Sequence, residues 1–284
     1  MQNADPPAWL RTISRPQVSR LMGHLVQARP PRSAMTAVIR AFSKAWGVNL
    51  DEAEHPPEHY PTFQAFFTRK LRSGLRPVDC TAEHLPSPSD GRLTAFGSLD
   101  RDVLVQVKGV EYSLDALIGD SADADPYRGG SYAVVYLAPN DYHRVHTPWK
   151  GKLTHWRYLP GALYPVNRIG LNHVPGLLAR NERFIGHFDT EFGKAALIMV
   201  GATFVGHMRM SFTALAANEG QPASGRVEIP GGRDMERGEE FGVFEMGSTV
   251  ALVMAQPGFE AIGQLGRKIC MGEAALRLTG RGEV

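Results

Sequence analysis

Val250-Ala251-Leu252-Val253-Met254 is an unbroken apolar run, led in by Gly247-Ser248-Thr249. Behind that turn it reads as a short strand. Similar runs recur at Val103–Val107, Tyr132–Leu137, Ala196–Val200 and Thr203–Val205, separated by Gly, Pro and Asp turn signals. Short strands at this spacing predict a β-rich sandwich or barrel-like domain from about residue 86 onward. Residues 114–118 and 176–180 read as short helices within it. The polar, glycine-rich stretch 218–232 reads as an exposed loop.

Upstream the texture is helical. Residues 8–48 read as two amphipathic helices. Val18, Leu21, Met22 and Leu25 fall at i, i+3, i+4 and i+7, and Met35, Val38, Ile39, Phe42 and Trp46 keep nearly that spacing. Arg29-Pro30-Pro31-Arg32 separates them, because proline is excluded from helix interiors. After a break at His55-Pro56-Pro57, Thr62–Phe67 reads as a third short helix, and the texture changes after Arg76-Pro77. The expected fold class is therefore α+β, with a helical region over 1–76 and a β-rich domain over 77–284.

A chain of 284 residues can bury a core without disulfides or metals. Cys80 and Cys270 stand alone, which fits a reducing compartment; one disulfide between them is the alternative. No run approaches the roughly 20 apolar residues of a membrane span, and no secretory signal pattern opens the chain. The net charge of +2 hides an asymmetry. Residues 1–50 hold Arg11, Arg15, Arg20, Arg29, Arg32, Arg40 and Lys44 against Asp5 alone. Such a front end suits an anionic surface, and by charge alone lipid and nucleic acid both qualify.

Four local motifs carry candidate chemistry: Pro88-Ser89-Asp90-Gly91, Asp141-Tyr142-His143-Arg144-Val145-His146, Ala179-Arg180-Asn181-Glu182-Arg183 and Glu245-Met246-Gly247-Ser248-Thr249. Singly each is weak; Asp90-Gly91 alone is an ordinary turn. His143 and His146 have a spacing seen in metal sites, but on an extended segment they point to opposite faces. No cysteine or carboxylate cluster completes a ligand set beside them, so no metal is expected there. Jointly, Asp90, His146 and Ser248 can form an acid–base–nucleophile triad. A hydrolase elbow needs glycine two residues after the serine, where this chain has Val250. A Gly-Ser bond at a strand mouth suits another target, the serine's own preceding peptide bond, whose carbonyl glycine leaves uncrowded.

Taken in order, these motifs resemble the bacterial phosphatidylserine decarboxylases with a Gly-Ser-Thr processing site. Thr62-Phe63-Gln64-Ala65-Phe66-Phe67-Thr68-Arg69, Phe188-Asp189-Thr190-Glu191-Phe192-Gly193 and Val200-Gly201-Ala202-Thr203 extend the likeness over nearly the whole chain. Met246 stands where that family usually has leucine, a volume-conserving swap.

The resemblance implies that Asp90 orients and charges His146, which takes the proton from Ser248 Oγ as that oxygen attacks the Gly247 carbonyl. Ester formation, β-elimination and hydrolysis then cut the chain at Gly247 and Ser248 and convert Ser248 to a pyruvoyl group. The products are a β chain, residues 1–247, and an α chain of 37 residues, 248–284. The pyruvoyl ketone forms a Schiff base with phosphatidylserine, CO2 leaves, and phosphatidylethanolamine is released. His143 engages the substrate carboxylate or handles the proton at the α carbon.

The implied partners are phosphatidylserine and an anionic membrane, met peripherally at the cytoplasmic face of the cell membrane, and no nucleic acid. A homodimer through the same amphipathic faces is the alternative use of the front end. An Asp-His-Ser hydrolase without self-cleavage, a non-enzymatic membrane-binding protein and a pyruvoyl enzyme for another amine are the competing readings.

Overall fold

The computed structural model describes residues 6–99, 113–203, 207–214, 223, 225–245 and 249–279. The first expected helix is two: α1 (Ala8–Ile13) and α2 (Pro16–Val26). The break comes at Pro16, which occupies the first turn of α2, where its missing N–H costs nothing. α3 (Arg32–Trp46) follows Pro30-Pro31 and ends on Gly47 in the left-handed conformation. α4 (Phe63–Phe67) starts where the Thr62 side chain accepts from the Ala65 N–H. Among the described residues, no helix is long and apolar enough to cross a membrane.

The strands are β1 (His84–Pro86), β2 (Gly91–Ser98), β3 (Ser131–Tyr136), β4 (Arg144–His146), β5 (Gly151–Leu159), β6 (Arg183–Thr190) and β7 (Gly193–Val200). They continue as β8 (Met208–Met210), β9 (Val227–Met235), β10 (Glu240–Phe244), β11 (Thr249–Met254), β12 (Phe259–Ala261), β13 (Lys268–Ile269) and β14 (Ala274–Leu278). Four short helices lie between them: α5 (Leu114–Ile118), α6 (Ser121–Ala124), α7 (Arg168–His173) and α8 (Leu177–Arg180). An eight-stranded antiparallel sheet runs β13-β2-β3-β11-β7-β6-β5-β9, beside two three-stranded sheets, β1-β14-β12 and β4-β10-β8.

The expected α+β class stands, and of its two shapes the sandwich-like one is realised. The large sheet keeps two open edges, at β13 and β9. One hydrophobic core joins all three sheets, through Leu93 and Val250 of the large sheet, Val145 and Phe244 of the second and Leu276 of the third. Phe188 on β6 meets Phe241 on β10 across that core, with ring centroids 5.8 Å apart.

β11, the run that opened the reading, lies fourth in the eight-strand order and is buried at every position. All six of its residues pair with both β3 and β7. The runs at 132–137 and 196–200 fall in β3 and β7. Val103–Val107 and residues 204–205 lie outside the described residues, and Thr203 is in a turn.

The loop expected over 218–232 needs correction, because Val227 onward is β9, an edge strand paired to β5. Its polar residues mislead because an edge strand has a water-facing side. Pro230 is tolerated there for the same reason. Gly231 and Gly232, at φ 76° and 68°, coincide with a register shift in the pairing.

The helical region has a smaller core of its own, Met35, Ile39, Val48, Tyr60 and Phe66. The apolar stripes divide: Met35 and Ile39 are buried, whereas Leu25, Val38 and Trp46 stay exposed. Leu10 of α1 belongs to the main core. Both cysteines are free thiols.

Candidate active site

β4 and β10 build the centre of the site. They pair antiparallel, with His146 opposite Glu240 and Arg144 opposite Val243. One step further, the Phe244 N–H donates to the His143 carbonyl at 3.0 Å. Asp141 shapes the approach to β4: its own N–H donates to the Ala138 carbonyl, and its Oδ2 accepts from the Ala138 N–H at 2.8 Å.

His143 is fully buried. Its Nδ1 lies 2.8 Å from the Asp141 carbonyl oxygen, which can only accept, so the proton sits on Nδ1. Nε2 is therefore a bare lone pair, and among the described residues it has no partner. The ring packs on Phe67 at 4.1 Å. Burial, helped by the Arg69 charge, pushes this imidazole down to about 3, so it is neutral at any working pH.

His146 is held by the same logic. Nδ1 donates to the Gly238 carbonyl at 3.0 Å, leaving Nε2 to accept from the Tyr142 hydroxyl at 3.3 Å. Burial lowers its pKa too, partly offset by that carbonyl and by the Glu240 and Asp90 charges. Its backbone N–H donates to the Pro88 carbonyl at 2.8 Å, which ties the second motif to the first.

Asp90 is buried at the start of β2. Gly91 beside it lets β2 close on β3, since a Cβ there would meet the Tyr136 carbonyl oxygen and lie 2.9 Å from Val135 Cγ1. The Asp90 carboxylate accepts from Arg76 Nε at 2.8 Å, from Arg76 Nη2 at 2.6 Å and from the Met271 N–H at 2.8 Å. Arg76 Nη2 also reaches Glu52 at 2.7 Å. Hydrogen bonds to Asp90 raise the guanidinium's pKa further. Among the described residues Asp90 and His146 make no hydrogen bond to each other; Asp90 reaches the imidazole through its charge. Arg76 was not singled out in the sequence, where it marked only a change of texture, and no spacing signal tied it to Asp90.

Gly247 and Ser248 lie outside the described residues, as does Met246, but both flanks are described. On one side the Glu245 N–H donates to the His207 carbonyl at 3.0 Å, and Glu245 Oε1 accepts from Arg209 Nε at 2.9 Å. On the other, Thr249 opens β11, opposite Tyr136 and Val200. Glu245 and Thr249 are four Cα steps apart, a span of at most about 15 Å. The described residues nearest the Gly-Ser bond in sequence thus follow the strand bonded to His143 on one side and open the inner strand β11 on the other. A cavity of about 400 Å³ lies beside β8 and β10, lined by Arg144, Arg209, Ser211 and Glu240 among others. Arg144 is paired there with Glu240 at 2.6 Å.

The family described as Phosphatidylserine decarboxylase matches residues 63–277. A phosphatidylserine decarboxylase proenzyme of Myxococcus xanthus (strain DK1622) is 39% identical over 269 residues, covering 92% of this chain and 95% of that protein. Proteins of the same name from Anaeromyxobacter sp. (strain K) and Marinobacter nauticus (strain ATCC 700491 / DSM 11845 / VT8) are 41% and 42% identical, covering 88% and 84% of this chain and the same shares of theirs.

Proposed function

The chain belongs to the phosphatidylserine decarboxylase family, and from that premise we propose that it is made as a proenzyme. In this reading it cuts itself between Gly247 and Ser248 and converts phosphatidylserine to phosphatidylethanolamine and CO2. The observation that carries the reading is the position of Thr249. It begins a strand paired on both sides, while Phe244, five residues earlier, is bonded to the His143 backbone.

A cut at 247–248 leaves the new α-chain terminus anchored by β11, with a six-residue ladder on each flank. A reactive group at position 248 would give a partner to His143 Nε2, which is buried and has none among the described residues. A pyruvoyl group there would supply a ketone that condenses with the substrate amine and takes up the electron pair left as CO2 departs.

The chain's own residues do the rest. His146 Nε2, already unprotonated, takes the Ser248 hydroxyl proton as Oγ attacks the Gly247 carbonyl; the Tyr142 hydroxyl gives way to it. The Asp90 charge favours the imidazolium that results. His143 stays neutral and presents a lone pair, which would repel a carboxylate. Of its two expected roles, proton handling at the substrate α carbon fits better: the lone pair would take the proton that the substrate amine sheds on condensing and return it to the α carbon. Arg144 and Arg209 give the neighbouring cavity a surface for the substrate phosphate.

The region 1–76 serves as the membrane-associating part and 77–284 as the catalytic part. Trp9, Leu25, Val38 and Trp46 are exposed among the bases of the front end, and each base near anionic lipid is worth roughly 1 kcal/mol. This supports peripheral attachment at the cytoplasmic face. A plain hydrolase is disfavoured because the similar proteins are named proenzymes and Val250 stands where a hydrolase elbow needs glycine.

Intact mass spectrometry of the purified protein tests the proposal. Two chains, 1–247 and 248–284, are expected, the shorter gaining hydrogen on borohydride reduction. The Ser248→Ala variant should remain one chain, and vesicles of phosphatidylserine should release CO2 where free serine does not. A fully active protein that is uncut and unmodified at Ser248 would refute it.

A further inference from the structure

Arg69 follows the C-cap of α4 and is only 5% exposed. Its Nη2 reaches the carbonyls of Asn140 and Asp141 at 3.3 and 3.5 Å. Its Nε and Nη1 are buried and have no hydrogen-bond partner. One face of the guanidinium lies over the Phe66 ring, 5.1 Å from its centroid. Among the described residues no carboxylate pairs with it. A buried cation with unmatched donors is costly, and a neutral donor would brace those two carbonyls for less.

The surroundings tie this charge to the reaction centre. The Asp141 carbonyl oxygen also accepts from His143 Nδ1, at 2.8 Å. Guanidinium and imidazole therefore meet at one oxygen, and the Arg69 charge helps to keep His143 neutral. The neighbouring Thr68 carbonyl accepts from Arg144 Nε at 3.1 Å. Arg144 in turn lines the cavity that offers a surface to the substrate phosphate.

Substrate and product differ in one group. Phosphatidylethanolamine keeps the phosphate and the amine of phosphatidylserine and lacks only the carboxylate. A site that reads phosphate and amine alone binds both alike. Neutral His143 cannot hold the carboxylate, because its free nitrogen is a lone pair.

We propose that Arg69 receives the substrate carboxylate through Nε or Nη1 and so distinguishes substrate from product. The inference rests on the decarboxylase reading above. Both nitrogens are closed to solvent, as is His143 Nε2, so a headgroup entering from the Arg144 cavity reaches them by displacing their cover. CO2 is uncharged, and the ion pair is lost as the bond breaks. Arg69 therefore serves selection and product release, not the rate of CO2 loss.

Equilibrium binding to the cut, borohydride-reduced enzyme tests this, because that form cannot turn substrate over. The probes are short-chain phosphatidylserine, phosphatidylethanolamine and phosphatidylglycerol, the last with the net charge of the first and no carboxylate. Wild type is expected to prefer phosphatidylserine to phosphatidylethanolamine by at least about tenfold, the worth of one charge-assisted hydrogen bond. Arg69→Met should bind those two alike and hold phosphatidylglycerol as wild type does; Arg69→Lys should restore part of the preference. In turnover the loss should appear in KM. Equal binding of phosphatidylserine and phosphatidylethanolamine by wild type would overturn the proposal without any variant. So would a folded R69M that melts lower but keeps the wild-type preference, the mark of a bracing role alone. A chain that stays uncut would defeat the self-cleavage reading and this one with it; a cut chain without the preference defeats this one alone.

Discussion

Arg76 grips Asp90 at two points, Nε to Oδ1 at 2.8 Å and Nη2 to Oδ2 at 2.6 Å, with side chains only 11% and 5% exposed. With the Met271 N–H also on Oδ1, the bonds to this carboxylate come from Arg76 and the backbone, and among the described residues none comes from the His146 ring. Asp90 therefore acts on His146 at a distance, and the orientation of that ring falls to the Gly238 carbonyl.

Removing Arg76 should be costly. Arg76→Met leaves a buried carboxylate without its cation, and breaking such a pair costs about 3–5 kcal/mol. The drop is expected in urea unfolding of the uncut Ser248→Ala background. R76M/D90N in the same background should recover much of the loss. If R76M unfolds like its parent, the ion pair is not structural.

The two histidines should separate by stage. His146→Ala is expected to leave the chain uncut on a denaturing gel. His143→Ala should still cut but lose decarboxylation by roughly 10²–10⁴-fold, the usual worth of a positioned acid or base. Equal loss of cutting in both variants would show that their roles are not divided.

Acid should weaken the fold through His143. Its folded pKa of about 3 lies below the ordinary 6.5 of the unfolded chain. The unfolded state therefore binds the extra proton between those values, and stability falls as pH drops through 6.5 toward 3. The slope from this one group is at most about 1.4 kcal/mol per pH unit. Asp141, raised by burial, works in the opposite sense nearer its own range, while His146, His155 and His187, all lowered by burial, add to the slope in the same sense. Chemical denaturation from pH 5 to 6.5 should show the combined slope, and His143→Phe should reduce it by the share of one group. Burial also lowers His146, so the cutting rate should level off at a pH below the ordinary histidine value.

Membrane attachment should depend on the exposed front-end hydrophobes. Trp9 and Trp46 are each 53% exposed. Trp9→Glu/Trp46→Glu should shift the protein from the pellet to the supernatant in sedimentation with phosphatidylserine-containing vesicles, and salt should weaken the wild type in the same assay. Unchanged sedimentation would point to those faces being used otherwise.

Much of this arrangement was legible in the residues. β11, β3 and β7 appear as short apolar runs because a strand buried on both faces has no polar side to hide. α4 is legible as the short segment Thr62–Phe67, and its threonine cap is seen in the structure. The reading missed at Pro16, which starts a new helix although residue 8 onward read as one, the apolar stripe beginning only at Val18. It missed again at Val227–Met235, where an edge strand carries too few apolar residues to be seen. Within the site, the Tyr-His-Arg-Val-His motif was visible, and its link to Phe244 was not, because that link is a backbone hydrogen bond from the Phe244 N–H to the His143 carbonyl.

By itself, the order of residues determined what is local: where strands and helices form, which histidines and carboxylates are available, and a glycine–serine bond entering an apolar run. The tertiary structure decided who meets whom. It assigned Asp90 to Arg76, put β11 between β3 and β7, and set His155 opposite His187. Those pairings depend on strand register and chain return over tens of residues. Their energy comes from burial and charge at the point of contact, and no spacing along the chain records it.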